Sequence, residues 1–324
     1  MSNVLLATRV VSQQPWAFHA HPEVWVLVFA LVASYTYAVR VIGPRAVPAG
    51  EAPVSRRQLT WFVLAIVLLW FASDWPMHDI GENYLYSAHM LQHMVLSYFM
   101  PPLVLLATPE WLARAIVGHG RAYGALRWLT KPVVAGVAFN AVVMITHIPG
   151  LVNAAVEPGR ANGLLHYGLH LALVTTALLM WMAVCGPLPE VRISAGATLI
   201  YLFAQSVVPT VPAGWLTFAE GAVYKAYDFP SPRLFGLSVT YDQQIAGVIM
   251  KVGGSAFLWT IVTVMFFRRF MRTSPDDYGF AARRRAVEEA RARAEAQAAA
   301  DGALTYEQVA EVFDATPAPE EPAR

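Results

Sequence analysis

The sequence predicts an all-α protein, a polytopic transmembrane bundle of about seven helices with the N-terminus outside and the C-terminus in the cytoplasm. Hydrophobic residues make up 56% of the 324 residues, and charged residues make up only 14%. This balance is too apolar for a soluble domain of this length. Apolar runs of membrane-spanning length recur along the chain, and basic residues gather in alternate loops between them.

An apolar run of about 17–25 residues is long enough to cross the bilayer as a helix. The second run is the shortest, and aromatic residues such as Trp75 and Trp128 lie near the ends of runs, as is typical of the membrane interface. The predicted spans are, in order, Val24–Ile42, Leu59–Ala72, Tyr84–Ala107, Pro132–Ile148, Gly163–Val184, Ile193–Val211 and Ile245–Phe270.

The orientation follows from the distribution of arginine and lysine. The loops after the first, third, fifth and last spans carry most of these residues, whereas the opposite loops carry few. Because positive charge favours the cytoplasmic side, the N-terminus is expected outside and the C-terminus inside. This divides the chain into an extracytoplasmic N-terminal segment (1–21), a transmembrane helical domain (22–272) and a cytoplasmic tail (273–324).

The tail is expected to be partly helical and partly disordered. Ala281–Ala300 is rich in alanine, arginine and glutamate, with pairs of opposite charge four residues apart, which is typical of a solvated helix. A second short helix is predicted from Thr305, with Gln308 completing a capping box. The proline- and glutamate-rich end, Ala315–Arg324, is predicted to be disordered.

Composition also excludes several classes of function. A net charge of +1 gives no excess of basic residues to neutralise the phosphates of a nucleic acid. The single cysteine, Cys185, excludes a disulfide framework and a paired-cysteine metal site. Any metal chemistry must therefore use histidine, methionine or carboxylate groups.

Histidines are concentrated at one membrane face. Two pairs have a spacing of four residues, which places both imidazoles of a pair on one side of a helix. Ionisable groups are costly inside a membrane, so function is their default interpretation, although interhelical hydrogen bonding is the simpler alternative for any single histidine. The predicted metal ligands are His89, His93, His147, His166 and His170, with Asp242 and His78 as further ligands or as partners of the ligands.

Copper is the predicted metal. Imidazole suits zinc, copper and iron, but thioether ligands favour Cu(I), and Met77, Met90, Met94 and Met144 lie close to the histidines in sequence. Methionine also fills gaps in apolar packing, which is the alternative for each of these residues. Haem is less favoured, because the two histidines of one pair lie on one side of a helix and cannot bind both faces of a porphyrin, although one histidine from each pair could do so.

Two further features interrupt the apolar spans. Pro101–Pro102 is expected to break or kink the third span just beyond the histidine pair. Lys251 is a cation in the seventh span, for which the alternatives are pairing with a carboxylate or reaching a wet cavity.

These motifs together resemble the polytopic cytochrome c oxidase assembly factors of the CtaG kind. The resemblance covers roughly residues 57–270 and rests on the His-x-x-x-His pairs, the prolines that follow them, His147-Ile-Pro149 and Asp242-Gln243-Gln244-x-Ala246-Gly247. It implies a non-enzymatic protein of the bacterial inner membrane that helps to deliver copper to a haem-copper oxidase. The implied partners are oxidase subunits, a copper donor protein and the lipid bilayer.

Two alternatives stay open on the sequence alone. The same histidines could hold haem or iron in a membrane oxidoreductase, or they could join helices in a scaffold that grips oxidase subunits without metal.

Overall fold

The computed structural model describes residues 15–156, 160–228, 233–272, 275–300 and 306–315. The first part of the predicted N-terminal segment, the Thr305 cap and the predicted disordered end beyond residue 315 lie outside the described residues. Within them the chain is helical and contains no strand, so the predicted all-α class is confirmed. Contacts divide the chain into two units, Met1–Met265 and Phe266–Arg324.

Among the described residues, six helices are long and apolar enough to cross a membrane, and a bent pair raises the number to seven if the pair forms one span. The pair meets at 71° and includes the predicted fourth span. The helices are α1 (Pro22–Ala46), α2 (Arg56–Ser73), α3 (Met77–Asn83), α4 (Tyr86–Ala107), α5 (Glu110–Val117), the bent pair α6 (Arg121–Leu129) and α7 (Pro132–Thr146), α8 (Pro149–Val156), α9 (Arg160–Cys185), α10 (Ala195–Val207), α11 (Thr210–Thr217) and α12 (Val239–Met271).

Local sequence signals explain where several of these helices begin. Ser55 accepts a hydrogen bond from the backbone of Gln58, whose side chain accepts from the backbone of Ser55, so a capping box starts α2. Ser194 caps α10 in a similar way through Ala197. Pro132 occupies the first turn of α7, where its missing N–H costs no helical hydrogen bond.

Helix α4 is the centre of the first unit. Of its apolar window 72% is buried by protein, compared with 11% for α1. It packs against α2, α9 and α12. A polar side chain on α4 therefore lies among other helices rather than in lipid, and this is the setting in which buried histidines can act together.

The predicted break at Pro101–Pro102 takes the form of a wider turn. Residues Val95–Phe99 form a π-helical turn, and the α-helix resumes at Met100. Pro101 has no N–H to donate to the carbonyl of Ser97, four residues earlier. The indole Nε1 of Trp181 on α9 donates to that carbonyl instead, at 3.1 Å. The prolines thus leave α4 continuous and tie it to α9.

The apolar core of the first unit lies beside this turn. Helices α4, α7, α9, α10 and α12 all contribute buried side chains to it, among them Tyr98, Phe139, Trp181, Leu202 and Leu258. Lys251, in a second π-helical turn on α12, donates to the Thr210 hydroxyl at 2.6 Å. The partly buried cation therefore has a neutral oxygen partner on α11.

The second unit contains the last residues of α12 with α13 (Pro275–Ala300) and α14 (Tyr306–Ala315). Exposed pairs of opposite charge line α13, with Arg284–Glu288 at 3.5 Å and Arg291–Glu295 at 2.9 Å. The predicted solvated helix and the short helix after it are both present.

Candidate metal centre

Three of the predicted ligands converge between α4 and α9. One ring nitrogen from each of His89, His93 and His170 can be chosen so that all three lie within 4.8 Å of one another. The Nε2 atoms of His93 and His170 are 3.2 Å apart. The four-residue spacing places His89 and His93 on the side of α4 that faces α9. We call these three residues the histidine triad.

The geometry of the triad suits a single ion. With metal–nitrogen bonds of about 2.0 Å at tetrahedral angles, two imidazole nitrogens on one ion lie about 3.3 Å apart. The separation between His93 and His170 is already near that value. The Nδ1 atom of His89 is buried and has no hydrogen-bond partner among the described residues. A buried polar nitrogen without a partner is costly, and binding a cation would satisfy it.

His166 and His78 lie next to the triad and share an acidic partner. The ring centroid of His166 is 4.4 Å from that of His170. The Oε1 atom of Glu82 is 2.7 Å from Nε2 of His166 and 3.2 Å from Nε2 of His78. Sequence reasoning missed Glu82, although its four-residue spacing from His78 on α3 is the same signal that identified the histidine pairs.

The residues before α1 add a second imidazole–carboxylate pair, which sequence reasoning also missed. The Nε2 atom of His21 is 2.9 Å from Oδ2 of Asp79, and its ring is 4.9 Å from that of His78. Burial lowers the pKa of His21, but hydrogen bonds and negative charge from Asp79 and Glu23 raise it by more, so its net pKa is raised.

His147 lies on the other side of the triad. Its Nδ1 atom is 2.6 Å from the carbonyl oxygen of Val143, and its Nε2 atom is 3.3 Å from the Sδ atom of Met90. Its ring is 6.1 Å from that of His93. The structure thus places His147 beside a thioether rather than within the triad.

The imidazoles together form a continuous row through the first unit. The row runs in the order His21, His78, His166, His170, His93 and His147, with successive ring centroids 4.9, 6.2, 4.4, 4.8 and 6.1 Å apart. No two successive rings in the row have centroids more than 6.2 Å apart.

Asp242 has other partners. Its fully buried carboxylate accepts hydrogen bonds from the backbone N–H of Tyr86 at 2.7 Å and from the N–H and hydroxyl of Ser87 at 3.1 and 2.6 Å. Anionic groups are favourable at the N-terminus of a helix, where N–H groups have no helical partner. Asp242 therefore anchors the start of α4, and its predicted role at the metal stays a prediction.

The methionines that lie near the histidines in sequence do not all lie near them in the structure. Met90 and Met94 line a small cavity next to His93 and His147, together with Met250, which sequence reasoning did not single out. Met144 points away from the interior and is 38% exposed.

Comparison with known families decides the identity. Residues 33–273 match the family model described as cytochrome c oxidase caa3 assembly factor (Caa3_CtaG). The chain belongs to this family. The match includes every member of the row of imidazoles except His21, so the predicted resemblance to CtaG-type assembly factors is confirmed.

Curated relatives of this Caa3_CtaG protein match a shorter region. Uncharacterised proteins of Mycobacterium bovis and Mycobacterium tuberculosis are each 35% identical over 92 residues, which cover 25% of this chain and 14% of the relatives. The chain thus spans only a small part of the length of these relatives. No solved structure matches the chain.

Proposed function

We propose that the chain is a cytochrome c oxidase assembly factor of the bacterial inner membrane that carries copper on the histidine triad toward a haem-copper oxidase. The observation that carries this proposal is the convergence of His89, His93 and His170 within 4.8 Å. Family membership supplies the link to oxidase assembly. The proposed partners are oxidase subunits and a copper donor protein.

Binding of an ion accounts for the triad better than hydrogen bonding alone. A neutral imidazole has one donor and one acceptor nitrogen, so a pair of rings can share one hydrogen bond, which satisfies one nitrogen of each ring. The contact between His93 and His170 is such a pair. The buried Nδ1 atom of His89 has no hydrogen-bond partner among the described residues. A cation at the triad gives all three rings an electron-pair acceptor.

The row of imidazoles supports transport rather than permanent storage. A structural metal site is closed by four fixed ligands. Here the triad offers three nitrogens, and His166 lies at ring contact with His170 on the same helix. An ion can therefore move by exchanging one imidazole for the next. This role requires no chemical turnover, which agrees with a non-enzymatic assembly factor.

The contact distances disfavour haem at the same histidines. The plane of a porphyrin must pass between the two axial ligands of its iron. The Nε2 atoms of His93 and His170 face each other at 3.2 Å and leave no space for that plane. The rings of His89 and His93 are likewise adjacent, with centroids 4.5 Å apart.

The test is the copper content of the detergent-purified chain after anaerobic loading with Cu(I). We expect the wild type to bind copper and His89→Ala/His170→Ala to lose one equivalent, because two of the three triad ligands are gone. His119→Ala is the matched control, since His119 is exposed and remote in sequence from the triad. Unchanged copper in the double variant would remove the triad as the site, and a wild type that binds no copper would favour a metal-free scaffold.

A further inference from the structure

The geometry points to a second copper site beside the triad, selective for Cu(I) and built from the Nε2 atom of His147 and the Sδ atom of Met90. Its place in copper delivery rests on the proposed function, whereas the binding of the ion itself does not. His147 follows α7 directly, and Met90 lies on α4 between the two triad histidines of that helix.

The hydrogen bond at the far side of His147 determines which nitrogen carries the proton. Nδ1 is 2.6 Å from the carbonyl oxygen of Val143, which can only accept, so Nδ1 is the donor in the neutral ring. Nε2 is then unprotonated, and its electron pair is free to bind a metal ion. Histidines that bind metals commonly donate their other N–H to a backbone carbonyl in this way, which orients the ring.

The partner of Nε2 is also an electron-pair donor. The Sδ atom of Met90 lies 3.3 Å away, and a thioether has no hydrogen to give. Two acceptors this close cannot satisfy each other by hydrogen bonding. The protonated alternative would place a charged ring where both His147 and Met90 are buried, at 5% and 1% exposure, which is costly. A cation shared by the two atoms satisfies both.

The space beside these atoms is sized for one dehydrated ion. His147 and Met90 line a cavity of about 20 Å³, and a single water-sized sphere needs roughly 10–15 Å³. Met94 and Met250 bring two more thioethers to its wall, and His93 of the triad also lines it. His93 therefore borders both sites, which gives an ion a direct route from the triad to the second site.

The chemistry of the lining selects Cu(I). Thioethers are soft ligands that favour Cu(I), whereas Cu(II) favours nitrogen and oxygen ligands and Zn²⁺ is bound by thiolate, imidazole and carboxylate groups. No acidic residue is among the described residues that line the cavity. The cost of burying an ion rises with its charge, so neutral ligands without a carboxylate suit a monovalent ion better than a divalent one.

The test is the sulfur environment of bound copper, measured by X-ray absorption at the copper edge after anaerobic loading with Cu(I). We expect the wild type to show a sulfur neighbour and Met90→Leu, which keeps a similar volume, to lose it together with one equivalent of copper. Met144→Leu is the matched control, because Met144 is an exposed methionine outside the cavity. Gel filtration checks that each variant is folded. Met250→Leu is a second variant of the cavity wall and lies on a different helix.

The variant His89→Ala/His170→Ala separates this inference from the proposed function. It retains His93, His147 and Met90, so we expect one equivalent of copper with its sulfur neighbour to remain. Copper without a sulfur neighbour in the wild type, or a sulfur neighbour that survives in Met90→Leu, would overturn the second site. Failure of the triad alone would instead appear as unchanged copper in the double variant, with the sulfur neighbour still lost in Met90→Leu.

Discussion

At the scale of single residues, a carboxylate placed far along the chain determines where the first two histidines of the triad lie. Asp242, on α12, accepts three hydrogen bonds from Tyr86 and Ser87 at the start of α4. His89 and His93 follow within two turns of that point. Because a helix is rigid over this distance, fixing its first turn also fixes the direction of both imidazoles.

The contacts of Asp242 predict a large effect of its removal on stability. Asp242→Ala leaves two backbone N–H groups buried without an acceptor, and we expect the free energy of unfolding to fall by about 3 kcal/mol. Thermal unfolding in detergent measures the change, with Asp228→Ala as the control because Asp228 is exposed. A variant that unfolds like the wild type but binds less copper would instead make Asp242 a ligand.

At the scale of helices, the position of α12 depends on how closely its backbone approaches α11 at Gly247. A Cβ atom at Gly247 would lie 2.7 Å from the carbonyl oxygen of Ala213 and 2.8 Å from the backbone nitrogen of Thr217. Backbone atoms cannot move aside as a flexible side chain can. Small residues at helix contacts of membrane proteins permit this kind of approach. Both Asp242 and Met250 lie on α12, so the packing at Gly247 helps to position both.

This close contact predicts opposite outcomes for two glycine substitutions. We expect Gly247→Ala to lower the free energy of unfolding by about 1–3 kcal/mol, because the added methyl group overpacks the α11–α12 contact. Gly214→Ala, on α11, is the control, since nothing lies within 4 Å of its added Cβ and alanine favours the helix by about 1 kcal/mol. Equal melting temperatures for the two variants, compared in the same detergent, would contradict this account of the packing.

At the scale of the whole molecule, the sequence was sufficient to predict about seven spans, and six or seven candidate spans are found among the described residues. It was also sufficient to predict that α4 and α9 meet. Apolar length predicts spans, and four-residue spacing predicts which imidazoles share a helix face. The sequence was not sufficient to predict which side chain or backbone group each of these residues contacts. His147 contacts Met90, and Asp242 anchors α4, because these contacts depend on how helices distant in sequence rotate against one another, which no local period encodes.

The same reason explains why His21 was missed, because it lies before the first span and meets His78 only through tertiary packing. Glu82 differs, since its four-residue spacing from His78 is a local signal, and only its contact with His166 depends on tertiary packing. The orientation of the termini stays a prediction from the positive-inside rule. With that orientation, the row of imidazoles begins at the outer face, where His21 and His78 lie.

The copper-to-haem ratio of the oxidase tests the central claim most directly. It is measured on oxidase purified from cells whose only copy of this chain carries His170→Ala, beside cells with the wild type and with His119→Ala. We predict oxidase that contains haem but is depleted in copper only in the His170→Ala cells, with the variant chain present in the membrane at a normal level. A normal ratio in those cells, whether the amount of oxidase is normal or reduced, would contradict copper delivery by the histidine triad.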